Sequence, residues 1–269
     1  MTLDIALLRR VDRYLDVAPL GAAEPVEVGP LRAFVSSAPW PYYVRPRPDL
    51  DLTAESAVTA DDVRGAAELL ERVSQAVSFE WVVELVPSLS AVLTSEGYAV
   101  RSHPLLVRDL GHGVEDGERG RVLSADDDLA SALRVADLGF SVHGTAVGDD
   151  GAAERDSATV EDSLVEFVRE RIRGQRSVVA VSEVDGAGMV ATGWHQPVVE
   201  ETEIVGVATL PAYRRRGAGA SVVRTLLDDA ARRGVTLALL SATDDDVARI
   251  YERVGFTRIG HTAAAERPT

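Results

Sequence analysis

An apolar run ends at Leu210, an amphipathic helical pattern begins near residue 217, and between them stands Arg214-Arg215-Arg216-Gly217-Ala218-Gly219. A chain that passes from strand to helix through such a loop builds an α/β unit. The helix reading rests on Val222, Val223, Leu226, Leu227, Ala230 and Ala231 at helical spacing, with Gly234 to close it. Glycines at a helix start let backbone approach a ligand closely. The first-turn N–H groups have no acceptor within the helix, and with the helix dipole they form an anion site suited to a pyrophosphate. Flanking arginines add charge. A dinucleotide-binding loop needs Gly-x-Gly-x-x-Gly, but position 222 is Val; a Walker loop needs lysine, and the chain has none. The remaining alternative is a solvated basic turn.

The elements around this loop order themselves. Residues 235–242 are a continuous apolar run, as a buried strand should be. Thr243-Asp244-Asp245-Asp246 primes a helix that ends at Val254-Gly255, and Phe256 begins a last strand. Upstream, 126–135 and 160–173 read as helices separated by a loop at 144–156. Strands are expected at 177–183, 188–196 and 203–210. The second part of the chain therefore reads β-α-α-β-β-β-α-β-α-β, an α/β arrangement on a mixed sheet. The charged, Gly-rich stretch 111–120 is the best domain boundary and divides the chain into 1–118 and 119–269.

Composition narrows the chemistry. With no cysteine there is no disulfide framework, thiolate metal site or cysteine nucleophile. With no lysine there is no Schiff base. All 28 basic residues are arginine against 43 acids, and the formal charge of −15 argues against nucleic acid or an anionic membrane as partner. The five histidines, 103, 112, 143, 195 and 261, show no metal-ligand spacing, so no metal is expected. No leader and no run of 18 apolar residues is seen, so a cytoplasmic protein, monomer or homodimer, is the expectation.

Two segments carry a resemblance. Val207-Ala208-Thr209-Leu210-Pro211-Ala212-Tyr213-Arg214-Arg215-Arg216-Gly217-Ala218-Gly219 resembles the acyl-CoA motif Arg/Gln-x-x-Gly-x-Gly/Ala of the GNAT acetyltransferase superfamily. Val247-Ala248-Arg249-Ile250-Tyr251-Glu252-Arg253-Val254-Gly255-Phe256 resembles that family's Ala-x-x-Leu-Tyr-x-x-x-Gly-Phe segment. The resemblance covers about residues 119–269 and implies acetyl-CoA as co-substrate. It implies that a bulge splays the strand before the loop, so that the backbone of Val207, Ala208 and Thr209 pairs with the pantetheine arm. The pyrophosphate would take N–H groups of Arg215, Arg216, Gly217, Ala218, Gly219 and Ala220, with side-chain charge from Arg214, Arg215 and Arg216 unless these are exposed turn residues.

Tyr251 aligns with the family's frequent general acid, and a phenol with a pKa near 10 can protonate a departing thiolate. The other reading is core packing beside Ile250 and Val254. Glu203 stands where some members keep a general base, and a solvated strand start explains it equally well. His195 at a strand end is a further base candidate, though an ordinary half-buried histidine accounts for it. Many members carry Asn where this chain has Asp244, which can cap the helix but, ionised, cannot donate to CoA; Ser241 is a possible substitute.

The first part reads β-β-α-β-α-β and resembles the back half of the same fold. Where the phosphate loop should stand there is Arg45-Pro46-Arg47-Pro48-Asp49-Leu50, and proline offers no N–H. A degenerate, truncated copy, giving a tandem GNAT-like chain, is the expectation; an unrelated accessory domain is the alternative. The whole reads as an acetyl-CoA-dependent N-acetyltransferase acting on a primary amine by direct attack, or else as a non-catalytic acyl-CoA-binding regulatory protein.

Overall fold

The computed structural model describes residues 3–142 and 144–268, so His143 lies outside the described residues. The elements run α1 (Ile5–Val17), β1 (Ala23–Val28), β2 (Leu31–Ser36), β3 (Val44–Pro46), α2 (Ala60–Arg72), β4 (Ser78–Val82), α3 (Leu89–Ser95) and β5 (Ala99–Asp109). They continue with β6 (Arg121–Val122), α4 (Leu129–Ser141), α5 (Ala152–Ser157), α6 (Asp162–Arg173), β7 (Val178–Val184), β8 (Gly188–Val198) and β9 (Glu201–Thr209), then α7 (Ala218–Arg232), β10 (Leu237–Ser241), α8 (Asp245–Glu252) and β11 (Thr257–Glu266). Two expectations change. The edge strand β1 carries Pro25 and two glutamates that hide it from a pattern search, and an edge position tolerates all three. The expected loop 144–156 contains most of α5, a helix too short for its period to show.

The chain divides into two compact units, Met1–Leu105 with Arg258–Thr269, and Leu106–Thr257. The expected boundary at 118 is displaced because the Gly-rich stretch 111–120 is held inside the second unit. Arg108 donates to the Glu115 carboxylate and the Gly113 carbonyl, Arg119 pairs with Asp228, and the Gly120 N–H donates to Thr225. The last strand belongs to the first unit, where β11 runs antiparallel to β4 with Ala263 opposite Trp81.

In the first unit the strand order is β1-β2-β3-β4-β11. β3 meets β4 in parallel at one pair, Val44 with Phe79. In the second unit the order is β10-β9-β8-β7-β6, with β9 and β10 parallel and the rest antiparallel. Element for element, β1-β2-β3-α2-β4-α3-β5 repeats as β7-β8-β9-α7-β10-α8-β11.

The second unit's sheet is buried on both faces, as its near-continuous apolar strands require. Val178, Ala180, Ala191, Ile204 and Ala238 pack with Val222, Val223, Leu226 and Leu227 of α7. The alternate residues Val179, Val181 and Val190 pack with Leu129, Ala132 and Val135 of α4 and Val168 of α6.

Candidate active site

The site begins as an interruption in β9. Opposite it on β8, Trp194 faces Val205 and Thr192 faces Ala208, so Gly206 and Val207 together stand against Gly193 alone. This is a β-bulge, and Gly206 permits it by taking φ +62°. A Cβ at Gly206 would lie 2.7 Å from the Trp194 ring. On the other edge, β9 pairs with β10 only at Glu201, Thr202 and Glu203, opposite Leu237, Ala238 and Leu239. No further pair joins the two strands, so the β10-facing backbone of 204–209 is left without a strand partner among the described residues. Glu203 is the last pair before the strands part. It is half-buried and faces away from α7, since Thr202 and Ile204 point toward that helix.

The opened edge leads into the Arg/Gly loop. Pro211–Tyr213 make one tight turn, Arg215 adopts φ +61° and Gly217 φ +86°, and α7 starts at Ala218. Left-handed backbone at such intervals gathers N–H groups into an anion-binding concavity. Gly217 stands at the cap position with no side chain to accept from the first turn, and the first helical bond is Ser221 N–H to the Gly217 carbonyl. The N–H groups of Ala218, Gly219 and Ala220 thus have no acceptor within α7. The corresponding helix of the first unit, α2, is closed. Thr59 caps it, Asp62 completes the capping box, and Asp61 and Asp62 occupy its first turn. Arg45 and Arg47 there are committed to carboxylates, Arg45 to Asp12 and Asp16, Arg47 to Glu27 and Asp49.

The three arginines diverge. Arg215 and Arg216 are exposed, with Arg216 stacked 5.4 Å over the Tyr213 ring. The Arg214 side chain turns back onto backbone carbonyls at α4 and its following loop, so only its main chain belongs to the cradle. Asp244 caps α8, accepting from Val247 N–H at 2.8 Å.

Tyr251 lies on α8 with its ring edge-on to Phe256, centroids 5.9 Å apart. Val207, Ala218, Ala220, Val247 and Tyr251 all rim one buried cluster of the second unit. Burial pushes the Tyr251 phenol up to about 12. It therefore stays protonated through the neutral range.

His195 is buried, not half-buried. Its Nδ1 is 2.9 Å from Thr202 Oγ1 and its Nε2 is 3.1 Å from Asp229 Oδ2. A carboxylate only accepts, so Nε2 carries the proton and Nδ1 accepts from the threonine hydroxyl. Arg232 donates to the other carboxylate oxygen, Asp229 Oδ1, and Arg233 shares Oδ2 with His195. With Thr202 and His195 at 0% exposure, this Thr-His-Asp chain meets no substrate and locks β8 and β9 to α7. Sequence reasoning passed over Gly206, Thr202 and Asp229. The first had a signal, a glycine inside the apolar run Ile204-Val205-Gly206-Val207; the other two had none, because their partner is remote in sequence.

Among the described residues no helix is long and apolar enough to cross a membrane, and no group of three or more His, Asp or Glu could hold a metal.

Residues 152–256 match the model of the acetyltransferase (GNAT) family. Over 75 residues, 28% of this chain, the sequence is 41% identical to the N-alpha-acetyltransferase RimI of Mycobacterium tuberculosis; the match spans 45% of that relative's length. Among solved structures, a GCN5-related N-acetyltransferase from Kribbella flavida superposes with a TM-score of 0.73 at 20% identity, covering 99% of this chain and 97% of that one. A tandem GNAT protein from the clavulanic acid biosynthesis pathway gives a TM-score of 0.52 at 14% identity, covering 89% and 79%. At such identities the structural likeness shows the fold.

Proposed function

We propose, from the premise that residues 152–256 of this chain form a domain of the acetyltransferase (GNAT) family, that the protein moves an acetyl group from acetyl-CoA to a primary amine. One observation carries this reading: an unpaired strand edge, 204–209, runs directly into an uncapped helix N-terminus. The first presents peptide groups to an extended amide-bearing chain; the second presents N–H groups to a pyrophosphate. Val207, Ala208 and Thr209 pair with pantetheine, and the backbone of 215–220 holds the phosphates, with charge from Arg215 and Arg216.

The amine nitrogen attacks the thioester carbonyl directly. The carbon–sulfur bond breaks, and the thiolate takes the Tyr251 proton, which solvent later restores. The amine's surplus proton leaves through Glu203 or water at the point where β9 and β10 part. The acceptor is a primary amine of a small molecule or of a peptide, its site shaped by the 126–173 segment. The first unit, its equivalent helix capped and its arginines ion-paired, is a degenerate copy that does not take acetyl-CoA.

A CoA-release screen over polyamines, aminoglycosides and peptides with free α- or ε-amino groups tests this. A thiol reagent serves as readout, and the cysteine-free chain adds no background. At least one amine should release CoA, and Tyr251→Phe should slow that turnover about a hundredfold or more while acetyl-CoA still binds. Tight acetyl-CoA binding with no release from any amine would favour a non-catalytic acyl-CoA sensor. Unchanged turnover in Tyr251→Phe would remove the general-acid role.

A further inference from the structure

The Arg214 guanidinium does not face the phosphate cradle. Its Nε donates to the Thr209 carbonyl at 3.3 Å, Nη1 to Ala146 at 2.7 Å, and Nη2 to Gly139 at 2.5 Å and Val142 at 2.9 Å. Gly139 lies in the last turn of α4 and Val142 is its cap residue, where carbonyls lack helical partners and a cation is favoured. Two backbone bonds reinforce the seam, Ala212 N–H to Asp150 O at 3.0 Å and Gly148 N–H to Pro211 O at 3.3 Å. α4 approaches so closely that a Cβ at Gly139 would lie 2.7 Å from that of Ala208. One side chain thus joins the end of β9, the loop leading to α7, the end of α4 and the loop after it. Its neighbours at 215 and 217 are the left-handed residues that shape the cradle.

We infer that Arg214 is a positioning residue that couples the acyl-CoA cradle to the α4–α5 segment on the acceptor side, rather than a phosphate ligand. The inference rests on the reading of 215–220 as the acyl-CoA cradle. Only a planar fork with five donors in fixed directions reaches Thr209, Ala146 and the α4 terminus at once; an ammonium or an amide reaches fewer. When acetyl-CoA fixes the backbone at 215–220, Arg214 is fixed with it, and the carbonyls of Gly139, Val142 and Ala146 are held in place for the amine.

Hydrogen exchange on wild type, Arg214→Gln and Arg214→Lys, each without and with acetyl-CoA, together with calorimetric acetyl-CoA binding, tests this. Wild type with acetyl-CoA should slow exchange both at 215–222 and across the described residues of 139–150. In Arg214→Gln the slowing should persist at 215–222 and vanish at 139–150, while the acetyl-CoA Kd changes less than about threefold, because the cradle's donors are backbone groups. Arg214→Lys, which keeps the charge and some of the donors but not the planar fork, should recover part of the effect and serves if the glutamine variant does not fold. Acetyl-CoA-induced slowing at 139–150 in Arg214→Gln equal to wild type would overturn the coupling. A loss of acetyl-CoA affinity of about tenfold or more, with 139–150 unaffected, would make Arg214 a phosphate ligand instead. Should wild type not bind acetyl-CoA, the functional reading fails. The strut is then judged on the free proteins, where exchange at 139–150 faster in Arg214→Gln supports it and unchanged exchange overturns it.

Discussion

His195 holds Thr202 on one ring nitrogen and Asp229 on the other with no water-exposed surface. Burial lowers its pKa from the ordinary 6.5, opposed by the hydrogen bond to Asp229. Asp229 is pushed up by burial, but the bonds from His195 and Arg233 outweigh this and hold it below the ordinary carboxylate value of 3.8. Both folded values lie below the unfolded ones, so both groups stabilise the fold at neutral pH and both contributions fade on acidification. The histidine's is complete above about pH 6.5 and is lost as pH falls through its folded value. The aspartate's persists until the pH drops below the ordinary carboxylate range. Urea midpoints should therefore decline below about pH 6.5. His195→Gln keeps a donor and an acceptor but does not titrate; it should lower stability by about 1–2 kcal/mol and flatten the decline between pH 6.5 and 4. An unaltered slope in the variant would mean that His195 does not carry it. None of this was legible from a lone histidine at a strand end, because burial and partnership are set by α7, whose Asp229 lies 34 residues further along the chain.

At the scale of elements, the proposed acetyl-CoA site depends on the bulge in β9. Gly206 supports it twice, through a positive φ and through the space that the Trp194 ring would otherwise contest. Gly206→Ala combines a left-handed penalty with a close contact and should cost about 2 kcal/mol. It should also weaken acetyl-CoA binding by drawing β9 toward regular pairing; thermal melts and calorimetry read the two effects. A variant that lost stability yet bound acetyl-CoA as before would detach the bulge from the site. The strand, loop and helix around residues 207–219 were legible because apolar period, proline and glycine are local signals, and α7 starts one residue from where its pattern places it. β1 and α5 were not, one being a polar edge strand and the other shorter than two turns.

For the whole molecule, the last strand, β11, belongs to the first unit, with five registered pairs to β4 and buried Ala263 and Ala265. Ending the chain at Phe256 should abolish amide protection across β4 while the β8–β9 ladder of the second unit stays protected. Hydrogen exchange on the truncated protein checks this, and persistent β4 protection would show that β11 is dispensable there. Apart from β1, the repeated order of strands and helices was readable in the sequence, as was the difference between an open Gly-rich helix start and a proline-rich one, because each is a property of a few consecutive residues. The partner of β11, the direction of Arg214 and the burial of His195 came only with the tertiary structure. A strand's apolar alternation states which face is inside, not which edge it joins. A long polar side chain ends where packing leaves carbonyls or carboxylates for it, and those arrive from elsewhere in the chain.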